Sequence, residues 1–512
     1  MSGRIGVIGA GPGGLTTAMI LASKGFKVTM FETNNYVGGR NSSLKVGDSK
    51  FDVGPTILMM KFVLDQVFKD AGRDADKYLN VMRLNPMYRL QFGPQKHIDC
   101  YDMTQGDKMM AEMQRVFPKD ATSYRKYLQY EGDRFRKMIP LLQKPYHGFG
   151  SLLNTDTLKA LPNISLHTTM HQLLGKYYQD PLAKISFSFQ AKYLGMSPYD
   201  CPSFFGMIPY VEHAFGCYHV EGGLNQISVA MSKVFKELGG DLQLNKPIKQ
   251  LILDGKKVKG LITKEGEEHL FDDVVVNADF FHVAEKLIPN AENVLQKWKP
   301  SKTAKKRFSC STFMLYIHLD KVYPELEHNT ISFADDYESN IKAISGHLVM
   351  PDDFSVYVCN PTKSDSTMSK PGTSGLYCLV PVPNLQKVSD DWNNPDVIEL
   401  MKQKIYKHLE DRCHLKNIRD HVLEEKVLTP HSWRDEIHVH QGATFSLAHS
   451  IFQLLLWRPK NKFDELENLY LTGAGTHPGS GIPTILESGR IVSSLLCDKY
   501  GVKYDKERYE NF

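Results

Sequence analysis

Residues 5–14 read IGVIGAGPGG, and Glu32 follows at the end of the next apolar run. The spacing Gly9-x-Gly11-x-x-Gly14, directly after a strand-like run and directly before a helix-like one, is what a dinucleotide pyrophosphate requires. Gly9 permits a tight turn, Gly11 lets the backbone approach the diphosphate, and Gly14 lets the helix pack close to the sheet. A helix opening near Gly11 would present its free N–H groups and positive dipole end to the phosphates. The carboxylate of Glu32 can accept both hydroxyls of an adenosine ribose, and its charge repels a 2′-phosphate. The chemistry expected is binding of FAD or NAD, not NADP.

The elements around these residues agree with that reading. Leu15, Ala18, Leu21 and Ala22 fall on one helical face, Gly25 stops the helix, and residues 27–31 form the second strand. Residues 468–483, NLYLTGAGTHPGSGIP, repeat the logic of strand, glycine-rich loop and helix, the helix running over 483–496. Two such junctions suggest one shared cofactor and a chain that leaves the nucleotide domain, builds a second lobe and returns. Between them the pattern predicts strands at 241–244, 248–253, 258–263, 274–279, 312–318, 355–359 and 376–382, and a charged helix at 395–410. Residues 60–150 carry mainly helical periodicity. The aromatic-rich stretch 165–216, with Phe187, Phe189, Tyr193, Phe204, Phe205, Tyr210 and Phe215, reads as helical core or as an apolar tunnel.

A chain of 512 residues exceeds what one core supports. Its 42% hydrophobic and 23% charged residues exclude general disorder. A net charge of +4 is too balanced to imply a nucleic-acid partner and is compatible with an anionic membrane surface. The 8 cysteines show no CxxC and the 19 histidines no HExxH, so no metal site is expected, and scattered thiols suggest a reducing cytoplasm. No window approaches the length of an apolar membrane span, which leaves a soluble or peripheral protein. Lys302, Lys305, Lys306 and Arg307 read as a solvated face. The apolar run 451–457, followed by Arg458 and Lys460, reads as a buried helix or as a segment dipping into lipid with its cations at headgroups.

From end to end the chain resembles the FAD-dependent amine oxidase superfamily and, within it, the bacterial carotenoid desaturases of the phytoene and diapophytoene type. The general flavoprotein signature is the glycine fingerprint, Glu32 and Gly38-Gly39-Arg40. The desaturase-like motifs are FDVGPTILMM (51–60), HVEGGLNQI (219–227), SCSTFMLYIHLD (309–320), YCLVPVP (377–383), GATFSLAHS (442–450) and LTGAGTHPGSGIP (471–483). The segment at 54–60 looks closer to the C30 branch. Departures are His328 followed by Asn329 in place of paired histidines, and His318 and Ser446 where relatives commonly have glycine.

The resemblance implies an α/β fold with a discontinuous Rossmann-like FAD-binding domain and an inserted substrate domain of mixed sheet and helices. Residues 1–85, 216–295 and 441–512 would form the FAD domain, 86–215 a helical, substrate- and membrane-facing region, and 296–440 a substrate domain with sheet. Gly9, Gly11 and Gly14 would line the pyrophosphate, Glu32 the ribose, and Gly39 and Arg40 the phosphates. Gly54 and Pro55 would pass the isoalloxazine, and Ile248 would grip adenine by its backbone. Gly475, Thr476, Gly481, Ile482 and Pro483 would flank the ribityl chain and flavin. The implied activity is FAD-dependent desaturation of a long isoprenoid hydrocarbon in carotenoid biosynthesis, by hydride transfer to flavin and proton loss. Quinone or oxygen would reoxidise the flavin, and the enzyme would sit peripherally on a membrane. A terminal oxygenase or an isomerase on the same scaffold is the alternative; an amine oxidase and a non-enzymatic prenyl-protein escort are more distant ones. Glu212, His213 and His477 are candidate proton acceptors, and no single catalytic residue is assigned.

Overall fold

The opening strand Arg4–Ile8 lies at the centre of a five-stranded sheet ordered Asp241–Gln243, Lys27–Phe31, Arg4–Ile8, Asp273–Val276, Leu469–Leu471. The structure is a computed structural model that describes residues 3–165, 167–346, 352–386 and 391–509. Every pairing in this sheet is parallel. Parallel strands covered on both faces read as continuous apolar runs, which is why these strands were legible. Three separated stretches of chain supply them, so the nucleotide lobe is discontinuous, and its mixed α/β architecture is the one expected.

The helix Pro12–Ser23 departs from the expected single apolar face, because Pro12 to Ala22 are all buried. The helices Asn225–Glu237 and Ile482–Tyr500 pack against it and cover the sides that solvent would otherwise touch. Gly489 makes the second contact possible: a Cβ there would lie 2.7 Å from Thr16 Cβ and 2.8 Å from the Gly13 carbonyl oxygen. The helix Ile482–Tyr500 also carries Arg490, which is fully buried. Its guanidinium donates to Asp70 Oδ2 (2.6 Å), Glu487 Oε2 (2.8 Å) and the Tyr509 hydroxyl (2.7 Å), strapping residues 507–509 to the lobe.

The second sheet has seven strands, ordered Val422–Leu428, Ser311–Leu319, Ser374–Val382, Val356–Cys359, Asn329–Phe333, Tyr88–Phe92, Lys96–Cys100. It is antiparallel except where Asn329–Phe333 meets Tyr88–Phe92. Its last two strands come from the stretch that reads as helical. The Tyr88/Leu90/Phe92 alternation is only five residues long and stands among longer helical patterns, so periodicity alone hides it. The two lobes meet where Tyr316 donates to the Val53 carbonyl (2.8 Å) and Tyr377 to the Gly54 carbonyl (2.7 Å).

Most of the aromatic stretch is core. Phe187 stacks on Tyr178 at 4.9 Å and meets the edge of Tyr127 at 5.7 Å, behind the helix Ala121–Leu142. All eight cysteines are free and buried. Among the described residues no helix is long and apolar enough to cross a membrane, and no three His, Cys, Asp or Glu side chains gather as a metal site would need.

Candidate cofactor and substrate site

A cavity of about 750 Å³ runs from the carboxyl ends of the parallel strands to the face of the seven-stranded sheet. This is where open α/β sheets place ligands. Of the residues singled out in the sequence, Gly9, Gly11, Glu32, Gly39, Arg40, Gly54 and Pro55 line it, with Ile248, Gly481, Ile482 and Pro483. Gly14, Gly475 and Thr476 do not. Gly14 sits one layer behind: a Cβ there would lie 2.4 Å from the Gly9 carbonyl oxygen. Gly475 lies against Ser446 and Phe280, while Gly473 and Ala474 reach the cavity instead. Thr476 turns inward, its hydroxyl donating to the Pro459 carbonyl at 2.6 Å.

The geometry at the fingerprint fits a diphosphate. Gly9 turns at φ +94°, a region that side chains avoid. A Cβ on Gly11 would collide with Asn277 Nδ2 at 2.8 Å, so only glycine keeps that wall open. No side chain caps the N-terminus of Pro12–Ser23 or of Ile482–Tyr500, and both ends border the cavity. Uncapped N–H groups at two helix ends, with Lys246, Lys249, Lys264 and Lys286 along the same walls, suit a dianionic dinucleotide. Glu32 is buried at the tip of its strand, its carboxylate accepting from Ala10 N (2.8 Å) and Asn34 N (3.0 Å), which fixes it toward the site. Ile248 opens an antiparallel ladder with residues 257–263.

Two residues that sequence reasoning missed organise the phosphate end. Asp279 lines the cavity, caps the helix Phe280–Lys286 and faces Arg40 at 3.6 Å. Asn277 donates to the Gly9 carbonyl at 3.3 Å. Both follow the strand Asp273–Val276, so the signal that could have found them is the carboxyl end of a parallel strand. Arg40 also donates to the Thr444 carbonyl (2.9 Å), and burial lowers its pKa.

The far end of the cavity is apolar, walled by Ile57, Met59, Phe189, Tyr193, Ile331 and Val356. Of the aromatic stretch only Phe189 and Tyr193 reach it. Its polar features are few: Lys192, and Thr56, which meets the Tyr357 hydroxyl at 2.6 Å, itself donating to Asn329 Oδ1 at 2.6 Å.

None of the three candidate proton acceptors lines the cavity. Glu212 is buried against Gln190 and Tyr88, and burial raises it to about 7. His213 contacts the Tyr124 hydroxyl and the Tyr101 carbonyl, and burial pushes it down to about 4. His477 packs against Tyr146 at 4.9 Å, and burial beside Arg458 pushes it down to about 3. Because its folded-state pKa lies below the unfolded value, His477 supports stability above pH 6.5 and withdraws it as pH falls from 6.5 toward 3. The slope is about 1.4 kcal/mol per pH unit for one such group. His477→Phe is expected to remove that one-proton contribution between pH 4 and 6. Urea midpoints measured against pH check it, and an unchanged slope counts against the buried neutral ring.

Arg458 is not a headgroup cation. It is fully buried and donates to four carbonyls, those of Leu447, Gln453, Ala474 and Thr476, bracing the glycine-rich loop at 473–476. Burial without a carboxylate pushes it down to about 9. In the run before it Phe452 is 76% exposed and Trp457 39%, while Leu456 is buried; the side chain of Ile451 lies outside the described residues. Of the basic run, Lys302, Lys305 and Arg307 are exposed and Lys306 is half-buried, as a solvated face requires.

Comparison with known proteins agrees with this geometry. The family model for flavin containing amine oxidoreductase matches residues 12–497. A 4,4'-diapophytoene desaturase (4,4'-diapolycopene-forming) of Methylomonas sp is 42% identical, covering 97% of this chain and 96% of its own. An all-trans-zeta-carotene desaturase of Myxococcus xanthus is 34% identical over 97% of this chain and 93% of its own. Among solved structures, an oxidoreductase from Methanosarcina mazei superposes with a TM-score of 0.63 at 18% identity, over 96% of this chain and 100% of that one. A putrescine oxidase does so with 0.62 at 12%, over 98% and 99%; at such identities these two speak for the fold alone. The uncapped helix ends, the glycine-walled cleft and the full-length similarity lead to one conclusion: the chain belongs to the flavin-containing amine oxidoreductase family, as an FAD-dependent oxidoreductase of the carotenoid desaturase group.

Proposed function

We propose that this protein introduces conjugated double bonds into a long isoprenoid hydrocarbon of the phytoene or diapophytoene type, with a C30 chain as substrate. The observation that carries the reading is the 42% identity, across nearly the whole length of both chains, to a diapophytoene desaturase. A cofactor cleft that continues into an apolar chamber between two lobes supports it. FAD, when bound, supplies a two-electron acceptor able to take hydride from an allylic carbon.

The chain's own residues bind, align and keep out water. Gly9, Gly11, Gly14, Glu32, Gly39 and Arg40 form the dinucleotide end, and Gly14 acts by allowing the turn. Tyr316 and Tyr377 hold the 53–54 turn between the lobes, and Gly54 and Pro55 there separate the cofactor from the apolar chamber. Ile57, Met59, Phe189 and Ile331 give a hydrocarbon a dry wall, where alignment lowers the barrier more than a strong base would.

The substrate's insolubility places the enzyme on a membrane surface. Exposed Phe149, Leu153, Phe452 and Trp457 support this, since the two segments are tied by Lys460 donating to the His147 carbonyl at 2.8 Å. Quinone or oxygen would reoxidise the reduced cofactor.

Co-expression with a synthase making C30 or C40 colourless precursor tests the reading. New visible absorption bands with the C30 precursor are expected, their fine structure counting the bonds inserted. Colourless extracts with both precursors would reject desaturation of these hydrocarbons, and conjugated carotenes would then be fed to look for oxygenation or isomerisation.

A further inference from the structure

Lys192 stands in the apolar part of the cavity, on the 3-10 segment Phe189–Leu194. Its ammonium lies 4.8 Å from the ring centre of Tyr337 and 6.0 Å from that of Phe333. Among the described residues no side chain or carbonyl hydrogen-bonds it and no carboxylate pairs with it. A long cationic side chain usually pairs with an acid; this one is half-buried, with its ammonium over aromatic rings at the wall where a hydrocarbon would lie. Of the other lysines of the cavity wall, those at 246, 249, 264 and 286 stand at the dinucleotide end, and Lys426 lies on the strand Val422–Leu428. Cys310, whose carbonyl accepts from the Thr444 hydroxyl at 3.4 Å, links the Lys192 wall to the loop that receives Arg40. Lys192 thus lies in the apolar part of the cavity, near the wall that Cys310 and Thr444 join to Arg40.

Removing two hydrogens from a saturated C–C bond produces one hydride and one proton. FAD, when bound, would supply the two-electron acceptor for the hydride, which leaves with both electrons of its C–H bond. The second C–H bond then breaks, its electron pair becomes the new C=C π bond, and the proton needs an acceptor inside a water-poor cavity. We propose that Lys192 is that acceptor, its neutral amine taking the proton from the carbon next to the one that lost hydride. The inference rests on the desaturase reading above.

An ammonium here would oppose the developing cation, whereas a neutral amine both tolerates it and can bond the proton. Desolvation favours the neutral form, pushing Lys192 down to about 7. The titratable groups facing it are the Cys310 thiol, pushed up to about 12 by burial, and the Tyr337 hydroxyl, also raised by burial. Both stay neutral near pH 7, so neither competes for the proton nor supplies a counter-charge. The amine is released for work as pH rises through about 7.

The test uses the FAD-loaded protein in vesicles containing its colourless precursor, with anaerobic flavin bleaching followed from pH 5.5 to 9. The wild-type rate is expected to climb through about pH 7 to a plateau. Lys192→Met is expected to be ~100-fold slower at the plateau and to lose that rise. Lys192→Arg keeps the charge but cannot deprotonate, and should fall with Lys192→Met. A second readout needs no turnover: competitive acetylation of Lys192 in the wild-type protein, read by peptide mass against pH, should inflect near 7. An inflection near the ordinary lysine value overturns the proposal. So does a Lys192→Met protein that keeps the wild-type pH profile at any rate, or a Lys192→Arg protein as fast as wild type. Wild-type flavin that never bleaches with any precursor rejects the desaturase reading instead, and the acetylation profile still reports on Lys192.

Discussion

Replacing Arg490 with methionine is expected to lower the stability of the folded protein by about 3–5 kcal/mol, the usual cost of stripping one partner from a buried ionic cluster. The guanidinium is fully buried and bonds Asp70, Glu487 and the Tyr509 hydroxyl at once. Methionine fills much of the volume and provides none of the charge. Among the described residues Asp70 would keep only the Tyr504 hydroxyl and the amide of Gln66, and Glu487 would keep Lys506 and Tyr509. Thermal unfolding and urea titration of Arg490→Met measure the loss directly. The double variant Asp70→Asn with Arg490→Met should recover part of it, because one of the stranded charges is then gone. A single variant as stable as wild type would show that the cluster contributes nothing net.

The second large effect belongs to Gly14→Val, which is expected to weaken FAD retention about 5- to 150-fold. That range converts an overpacking cost of about 1–3 kcal/mol into a binding ratio. The position lies behind the cavity wall, so valine would touch no ligand. It would instead strike the Gly9 carbonyl, which a Cβ approaches to 2.4 Å, and also Asn277 at 3.0 Å. Both are backbone or backbone-braced, so the helix end must move away from the turn that aims it. Flavin absorbance per mole of purified protein, before and after dialysis, gives the answer. Gly106→Ala is the control, since nothing lies within 4 Å of a Cβ there. Equal flavin content in Gly14→Val and wild type would remove Gly14 from the account.

What the sequence disclosed and what it hid follow one physical division. The strands Arg4–Ile8 and Lys27–Phe31, the turn at Gly9 and the place of Glu32 are set by neighbours a few residues away, so local spacing reveals them. Gly481, Ile482 and Pro483 were legible for the same reason, as a strand-to-helix junction. The role of Thr476 was not, because its side chain answers to a carbonyl at Pro459 that only the folded loop brings near. Arg458 reads either as a headgroup cation or as the polar end of a buried helix, and which of these holds depends on four carbonyls that only the fold brings around it. Asp279 and Asn277 were hidden in plain apolar context, since their partners Arg40 and Gly9 come from the other end of the lobe. Lys192 gives no sequence signal at all: its isolation is a property of what surrounds it, supplied by Phe333 and Tyr337 far along the chain.

The parallel sheet drawn from three distant stretches has a consequence for biosynthetic timing. Thr17 and Gly489, which meet where the two helices cross, are 472 positions apart. At ordinary ribosomal speeds of about 5–20 residues per second, roughly 25–95 s separate the synthesis of one side of that contact from the other. Throughout that interval the glycine fingerprint exists without the helix that covers it and without the junction at 481–483. The first strands must wait as an open, apolar template beside a growing chain, the situation in which chaperones are recruited. Cofactor capture is therefore a late event, and a message cut short between codons 32 and 469 would leave a polypeptide with an intact fingerprint and no completed flavin site.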